Sequence, residues 1–269
     1  MFKPSAIFID LDHTSLDSRV NNKSVFSEKN RKAIIEINKE IPVVISTGRG
    51  LTSATKEIID SVNLNSYVLW NGAKVVVDNE EVFLKEIPQE IALEIFDEIA
   101  KFKSVMVLNS DFKNQSYFAW KSLRFVLKLL RFDSLKKYDE FDRESTIFKF
   151  IVFNLRKEKL FKIRKHLEEK FGNFVTITES GNKNNILEIS AKGVSKASGN
   201  KIFCEHKNID VTRAIHLGDA MNDASCVGVL GKTIAFANAS DAFKKVADEV
   251  LPYTYENAGL ARFLEQFKK

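Results

Sequence analysis

Cysteine is nearly absent: only Cys204 and Cys226 occur in 269 residues, and no short spacing groups them as metal ligands. A disulfide-stapled secreted fold is therefore not expected, and both thiols are expected to be reduced and structural. Long apolar runs are missing too, since none approaches the roughly 20 residues that a spanning helix needs. The first residues, MFKPSAIFID, bring a charge and a proline before an apolar run too brief for a secretory leader, so a cytoplasmic location is expected. Nor does one sign of charge dominate, with 41 basic against 36 acidic residues and a formal net charge of +5. Such a surplus helps to steer anions but does not point to nucleic acid, and neither nucleic acid nor membrane is an expected partner. No internal repeat or low-complexity segment is visible.

The remainder is the composition of an ordinary globular protein, 44% apolar and 29% charged, at a length that suits a large core with a second, smaller domain. Short apolar runs, AIFID at 6–10, PVVIS at 42–46, YVLW at 67–70, AIHL at 214–217 and TIAFA at 233–237, alternate with amphipathic stretches. Runs of this kind without strict alternation predict buried parallel strands joined by helical crossovers, hence a doubly wound α/β core. Helices are expected over Glu28–Lys39 and Ala239–Ala247. The middle differs: strand candidates at 105–108, 147–153 and 186–189 flank helical stretches at 89–102 and 157–171. This reads as an inserted α+β domain at 84–190, bounded by the acidic DNEEV at 78–82 with IPQE at 87–90, and by AKG at 191–193. The core is then assembled from 1–83 and 191–269. A basic stretch from Lys121 to Lys137 reads as an amphipathic helix, with a solvated face the simpler account and an anion-attracting rim the alternative.

In an open α/β sheet, ligands bind beyond the carboxyl ends of the strands, which draws attention to the polar residues that follow the apolar runs. Asp10 and Asp12 lie two residues apart on an extended segment and project to one side. Alone they fit equally a chelated hard cation or a strand-end turn. Ser46-Thr47-Gly48-Arg49 offers a hydroxyl and an unobstructed backbone N–H suited to a phosphate oxygen, or merely a helix cap. Lys192-Gly193-Val194-Ser195-Lys196 opens a helix where a lysine could neutralise both phosphate and Asp10, although isolated lysines are usually solvated. Gly218-Asp219-Ala220-Met221-Asn222-Asp223 adds two more carboxylates and an amide. So many carboxylates at strand ends repel one another unless a cation neutralises them.

In this order and strand context, the four groups resemble the four motifs of the haloacid dehalogenase-like hydrolase superfamily. NGA at 71–73 and GVSK at 193–196 make the chain similar to that superfamily's Cof-type phosphatases, with a large class II cap. The resemblance implies a phosphoric monoester hydrolase acting on small phosphorylated metabolites such as sugar phosphates or nucleotides. It implies that Asp10 attacks phosphorus to form an aspartyl-phosphate, while Asp12 protonates the leaving alcohol and then activates water. It implies Mg2+ held by Asp10, the backbone carbonyl of Asp12 and Asp219, with Asp223 orienting them from behind. Thr47, Gly48, Lys196, Asn222 and the Leu11 amide would bind the phosphoryl oxygens.

The first motif departs from the commonest form, with His13 and Ser15 where glycine and leucine are usual. His13 reads either as a turn residue tolerant of unusual dihedrals or as a group that contacts the leaving alcohol. His166 and His206 are expected to face solvent, and His216 to be a buried strand residue. A phosphomutase of the phosphomannomutase type and a non-catalytic metabolite-binding protein are the alternatives. Tyr117, Trp120 and the segment 181–185 are candidates for substrate contacts in the insert; substrate and oligomeric state are not legible.

Overall fold

The computed structural model of the protein describes residues 3–119, 135–154, 156–180 and 186–268. The chain divides into two compact units, Met1–Leu84 with Ser195–Lys269, and Lys85–Val194. The second boundary falls later than residue 190 because the last strand of the insert runs to Ala191, and Lys192 N still donates to Phe174 O (2.8 Å).

The core unit starts with β1 (Ile7–Ile9), a hairpin of β2 (Ser18–Val20) and β3 (Lys23–Val25), and α1 (Glu28–Ile37). It continues through β4 (Val43–Ser46), α2 (Ser53–Ser61), β5 (Tyr67–Leu69), β6 (Lys74–Val77) and β7 (Glu80–Leu84). In the insert follow α3 (Gln89–Lys101), β8 (Val105–Leu108), β9 (Ser116–Tyr117), β10 (Leu135–Lys136), β11 (Lys149–Phe153), α4 (Lys157–Phe171), β12 (Val175–Ser180) and β13 (Ile186–Ala191). The core resumes with α5 (Lys196–His206), β14 (Ile215–Gly218), β15 (Lys232–Ala235), α6 (Asp241–Lys244), β16 (Glu249–Val250) and α7 (Gly259–Leu264).

The core sheet runs β16, β15, β14, β1, β4, β5, β6, β7. Its strands are parallel from β16 to β5, and β6 and β7 add an antiparallel edge. This is the expected doubly wound α/β core. Both faces of β1 are covered: Ile7 and Ile9 join the apolar layer beneath α1, α2 and α7, while Phe8 faces α5 and meets Phe203 edge-on at 5.5 Å. Helix α1 shows how the sequence builds such a layer. Ser27 caps it by accepting from Asn30 N (3.2 Å), and Asn30, Ala33, Ile34 and Ile37 fall on its one buried stripe.

Three expectations change. The stretch 78–82, read as marking the boundary of the insert, is the turn and start of β7, an edge strand of the core sheet whose charged Glu80 and Glu81 face water. The strand read to Trp70 ends at Leu69, because Trp70 and Asn71 adopt left-handed backbone (φ 49° and 54°). The helix expected over Ala239–Ala247 shortens to α6, which Ser240 caps through Phe243 N.

In the insert, a sheet ordered β10, β9, β8, β11, β13, β12 carries α3 and α4, which bury Ile95, Phe96 and Ile99, and Ile163, Leu167 and Phe171. The basic stretch from Lys121 lies outside the described residues as far as 134, as do Trp120 and 181–185. At its end Leu135–Lys136 pair with Ser116–Tyr117 as a strand rather than closing a helix. Tyr117 is buried against Phe96. His166 is not simply solvent-facing, since Nε2 meets Glu98 at 3.1 Å; His206 is exposed.

Candidate active site

Strand register brings the polar motifs together. Ile9 of β1 lies beside Ile45 of β4 and Leu217 of β14, so the chain leaves all three strands on one edge, about 5 Å apart. Asp10, Thr47 and Asp219 follow directly. The ladder extends into the loops: Asp10 N donates to Leu217 O (3.0 Å) and Thr47 N to Val68 O (2.9 Å).

At this edge Lys196, fully buried at the first turn of α5, donates to Asp10 Oδ1 and Asp223 Oδ1, both at 2.6 Å. Ligand oxygens of Asp10, Asp219 and Asp223 lie within 4.8 Å of one another. Burial pushes the Asp10 carboxyl up to about 6; Lys196 opposes this, and Asp223 and Asp12 add to it. Asp219 is pushed further, to about 8, by burial and by the negative charges of Asp10 and Asp223. For Asp223 burial acts in the same direction, but Lys196 and a hydrogen bond from His216 outweigh it and hold the carboxyl well below the usual range. Lys196, which burial alone would depress, is held above the ordinary lysine range by Asp10 and Asp223. One ammonium therefore serves three clustered carboxylates, and the remaining repulsion is what a bound cation relieves.

Two close approaches make the cluster possible. A Cβ on Gly218 would lie 2.1 Å from Asp223 Cγ, so only glycine lets that carboxylate tuck beneath the end of β14. Gly72 (φ +103°) plays the same part for α5: a Cβ there would lie 2.1 Å from Ser195 O. Ser195 caps α5 through Ser198 N (3.1 Å), so the Trp70–Gly72 turn sets where Lys196 begins.

Asp12 meets different surroundings. Arg49 grips it with two parallel bonds, Nε to Oδ2 at 2.7 Å and Nη2 to Oδ1 at 2.5 Å. Burial works against ionisation here as well, but the guanidinium prevails and holds the Asp12 carboxyl below its ordinary value. Between the two aspartates Leu11 is buried and the turn closes on its carbonyl, which accepts from Ser15 N and Leu16 N at 3.0 Å. Ser15 Oγ donates to Asp10 O at 2.5 Å, which accounts for a hydroxyl at that position. His13 takes the left-handed conformation (φ 54°) otherwise given to glycine. Its carbonyl accepts from Asn238 Nδ2 (2.9 Å), and its ring lies edge-on to Tyr255.

A haloacid dehalogenase-like hydrolase profile matches residues 7–264. The chain belongs to the haloacid dehalogenase-like hydrolase family. Among its relatives is a 5-amino-6-(5-phospho-D-ribitylamino)uracil phosphatase of Bacillus subtilis (strain 168), 27% identical over 270 residues that cover 97% of this chain and 94% of the relative. An Escherichia coli (strain K12) phosphatase named for the same substrate is 24% identical over 88% of this chain and 86% of its own. A haloacid dehalogenase-like hydrolase structure from B. subtilis superposes with a TM-score of 0.78 at 21% identity, covering 98% of this chain and all of that one, and shows the shared fold.

Within this family fold, Asp10, Lys196, Asp219 and Asp223 form one cluster, while the Asp12 carboxylate turns to Arg49. Thr47 is buried at the end of β4, with Gly48 next to it, and its Oγ1 accepts from Arg49 N (3.2 Å). Asn222 Nδ2 donates to Asn71 Oδ1 (3.2 Å), which ties the fourth motif to the NGA turn. Sequence reasoning assigned no role to Arg49, Asn71 or the His216–Asn200 pair. A signal for His216 was present, since a polar ring within the apolar run AIHL needs a buried partner.

Proposed function

We propose that this phosphatase hydrolyses small phosphorylated metabolites through an aspartyl-phosphate on Asp10, with Mg2+ as its cation. The observation that carries the reading is the Asp10 carboxylate, seated at the end of β1 with Oδ1 engaged by Lys196 and Oδ2 left to attack. Oδ2 forms a bond to phosphorus as the bond to the leaving oxygen breaks, and that oxygen takes a proton from Asp12. Asp12, now a carboxylate, removes a proton from water as the water attacks phosphorus; the bond to Asp10 breaks and inorganic phosphate departs. Lys196, the Thr47 hydroxyl, the backbone at Leu11 and Gly48, and the Asn222 amide are assigned to the phosphoryl oxygens, stabilising charge where it develops.

The donor set fits a hard cation: clustered carboxylates in a site with too little positive charge of its own. Asp223 already accepts four donors, Lys196 and His216 on Oδ1 and the amides of Asp219 and Ala220 on Oδ2. Direct ligation therefore falls to Asp10, Asp219 and the Asp12 carbonyl, with Asp223 holding the arrangement from behind. Mg2+ bound there would neutralise phosphate charge and orient it for in-line attack. The Arg49 pair keeps Asp12 in its base form, so acting first as an acid requires that pair to open and Asp12 to take up a proton.

The test is release of inorganic phosphate from p-nitrophenyl phosphate with Mg2+, comparing wild type with Asp10→Ala. Loss of the nucleophile is expected to cost at least about 10³-fold in kcat. Full activity in Asp10→Ala removes the mechanism, and hexose phosphate interconversion without net phosphate release identifies a mutase instead. A metabolite panel that includes 5-amino-6-(5-phospho-D-ribitylamino)uracil, the compound named for two relatives, addresses the substrate.

A further inference from the structure

Of the four histidines, His216 alone is fully buried, set in β14 between Ile215 and Leu217. An imidazole in such a place is tolerated only when both nitrogens are paired. Both are. Nε2 lies 2.7 Å from Asp223 Oδ1, and Nδ1 lies 3.3 Å from Asn200 Nδ2. Asn200 is itself fully buried, one helical turn beyond Lys196 on α5, so a single helix carries both the lysine and the amide that faces the ring. The amide nitrogen also points at Cys226 Sγ (3.6 Å), whereas Asn200 Oδ1 meets no partner among the described residues. An amide nitrogen only donates, so Nδ1 accepts and the ring hydrogen sits on Nε2, aimed at Asp223.

We infer that His216, oriented by Asn200, is a positioning residue for the reaction. By donating to Asp223 Oδ1 it fixes the carboxylate that sets Lys196 against Asp10 and, through Oδ2, holds the backbone of Asp219 and Ala220. The inference rests on the mechanism proposed above for what Lys196 and Asp219 do. The placement of His216 stands apart from it. The ring nitrogens meet Asp223 and Asn200, so the imidazole acts one step behind Lys196 and Asp219. Without this donor Asp223 keeps Lys196 as its single partner on Oδ1, and only the two amides on Oδ2 still oppose its rotation, so the lysine is held less firmly.

Nitrogen-15 NMR of the His216 ring in the wild-type protein reads the tautomer directly. Protonated Nε2 with bare Nδ1 is expected, both without and with Mg2+; the opposite tautomer places a lone pair against Asp223 and overturns the inference. His216→Leu fills the space but donates nothing, whereas His216→Gln carries an N–H to nearly the same point. His216→Leu is expected to lower kcat on p-nitrophenyl phosphate and to weaken binding of Mg2+ alone, followed by calorimetry, each by roughly 10- to 100-fold. KM should change far less, and His216→Gln should recover most of both losses. A folded His216→Leu protein whose kcat and Mg2+ affinity stay at wild-type values refutes the role. Should that variant not fold, Asn200→Ala replaces it: a reduced kcat and weaker Mg2+ binding are expected with the ring hydrogen still on Nε2, and an unchanged kcat and Mg2+ affinity count against the inference. Wild type that releases no phosphate defeats the proposed function instead, and the ring tautomer and Mg2+ calorimetry still decide the placement of His216.

Discussion

Asp10 and Asp12 are two residues apart, yet their surroundings move their acidities in opposite directions, Asp10 up to about 6 and Asp12 below its ordinary value. This order is the reverse of what a nucleophile and an acid need, so a cation at Asp10 and the opening of the Arg49 pair must both precede the first chemical step. The guanidinium of Arg49 is the group that depresses Asp12, so removing it must raise that carboxyl. Arg49→Met is therefore expected to leave a larger fraction of Asp12 protonated at a given pH. Because the first chemical step needs that proton, activity falls as pH rises past the Asp12 value. The alkaline limb of kcat/KM should accordingly shift to higher pH, and the acid limb of the hydrolytic half-reaction, which needs the base form, should shift the same way. A pH–rate profile with p-nitrophenyl phosphate reads both effects. A limb that stays in place shows that Arg49 does not govern Asp12.

At the scale of elements, three strand ends and one helix terminus converge, and what fixes their separation is the absence of side chains. Gly72→Ala sets a methyl against the Ser195 carbonyl, on a backbone (φ +103°) that alanine adopts only with strain. About 1–3 kcal/mol of stability is expected to be lost. If α5 withdraws by as much as 1 Å to admit the methyl, Lys196 leaves Asp10 and kcat falls about 100-fold. Thermal unfolding and kinetics on one preparation separate the two effects, and a destabilised protein with intact kcat shows that the turn does not set Lys196. The parallel strands were legible because buried strands read as unbroken apolar runs, and the polar residues at their ends could be found by counting forward. The β6–β7 edge was not, since a strand with Glu80 and Glu81 facing water reads as a polar domain boundary. The Arg49–Asp12 grip spans 37 residues of sequence and depends on strand order, which no local pattern carries. His13 was legible as a turn residue from its tolerance of left-handed backbone, and the structure gives it φ 54°.

At the scale of the molecule, every candidate catalytic, phosphate-binding and metal-binding residue belongs to the unit made of Met1–Leu84 and Ser195–Lys269, so cation binding should be felt there. Among the described residues no helix is long and apolar enough to cross a membrane. Folding raises Asp10 from 3.8 to about 6 and Asp219 from 3.8 to about 8. A carboxyl raised by folding favours the folded state fully below its unfolded value, and that contribution is lost as pH rises through its folded value. In chelator, these two groups should therefore make the core unit progressively less stable from about pH 4 to pH 8. A cation that needs both carboxylates ionised competes with their protons, so its stabilisation should grow over the same interval. With Mg2+ at 100 times its dissociation constant, mass action supplies about 2.7 kcal/mol. For a protein of this size that amounts to an increase in Tm of roughly 5–10 °C at pH 8. At pH 5.5 the increase should be smaller. Hydrogen exchange at pH 8 should show the added protection in β1, β4 and β14 and little in the strands of the insert. A Tm shift equal at both pH values, or protection shared evenly by the two units, is incompatible with a cation seated on Asp10 and Asp219.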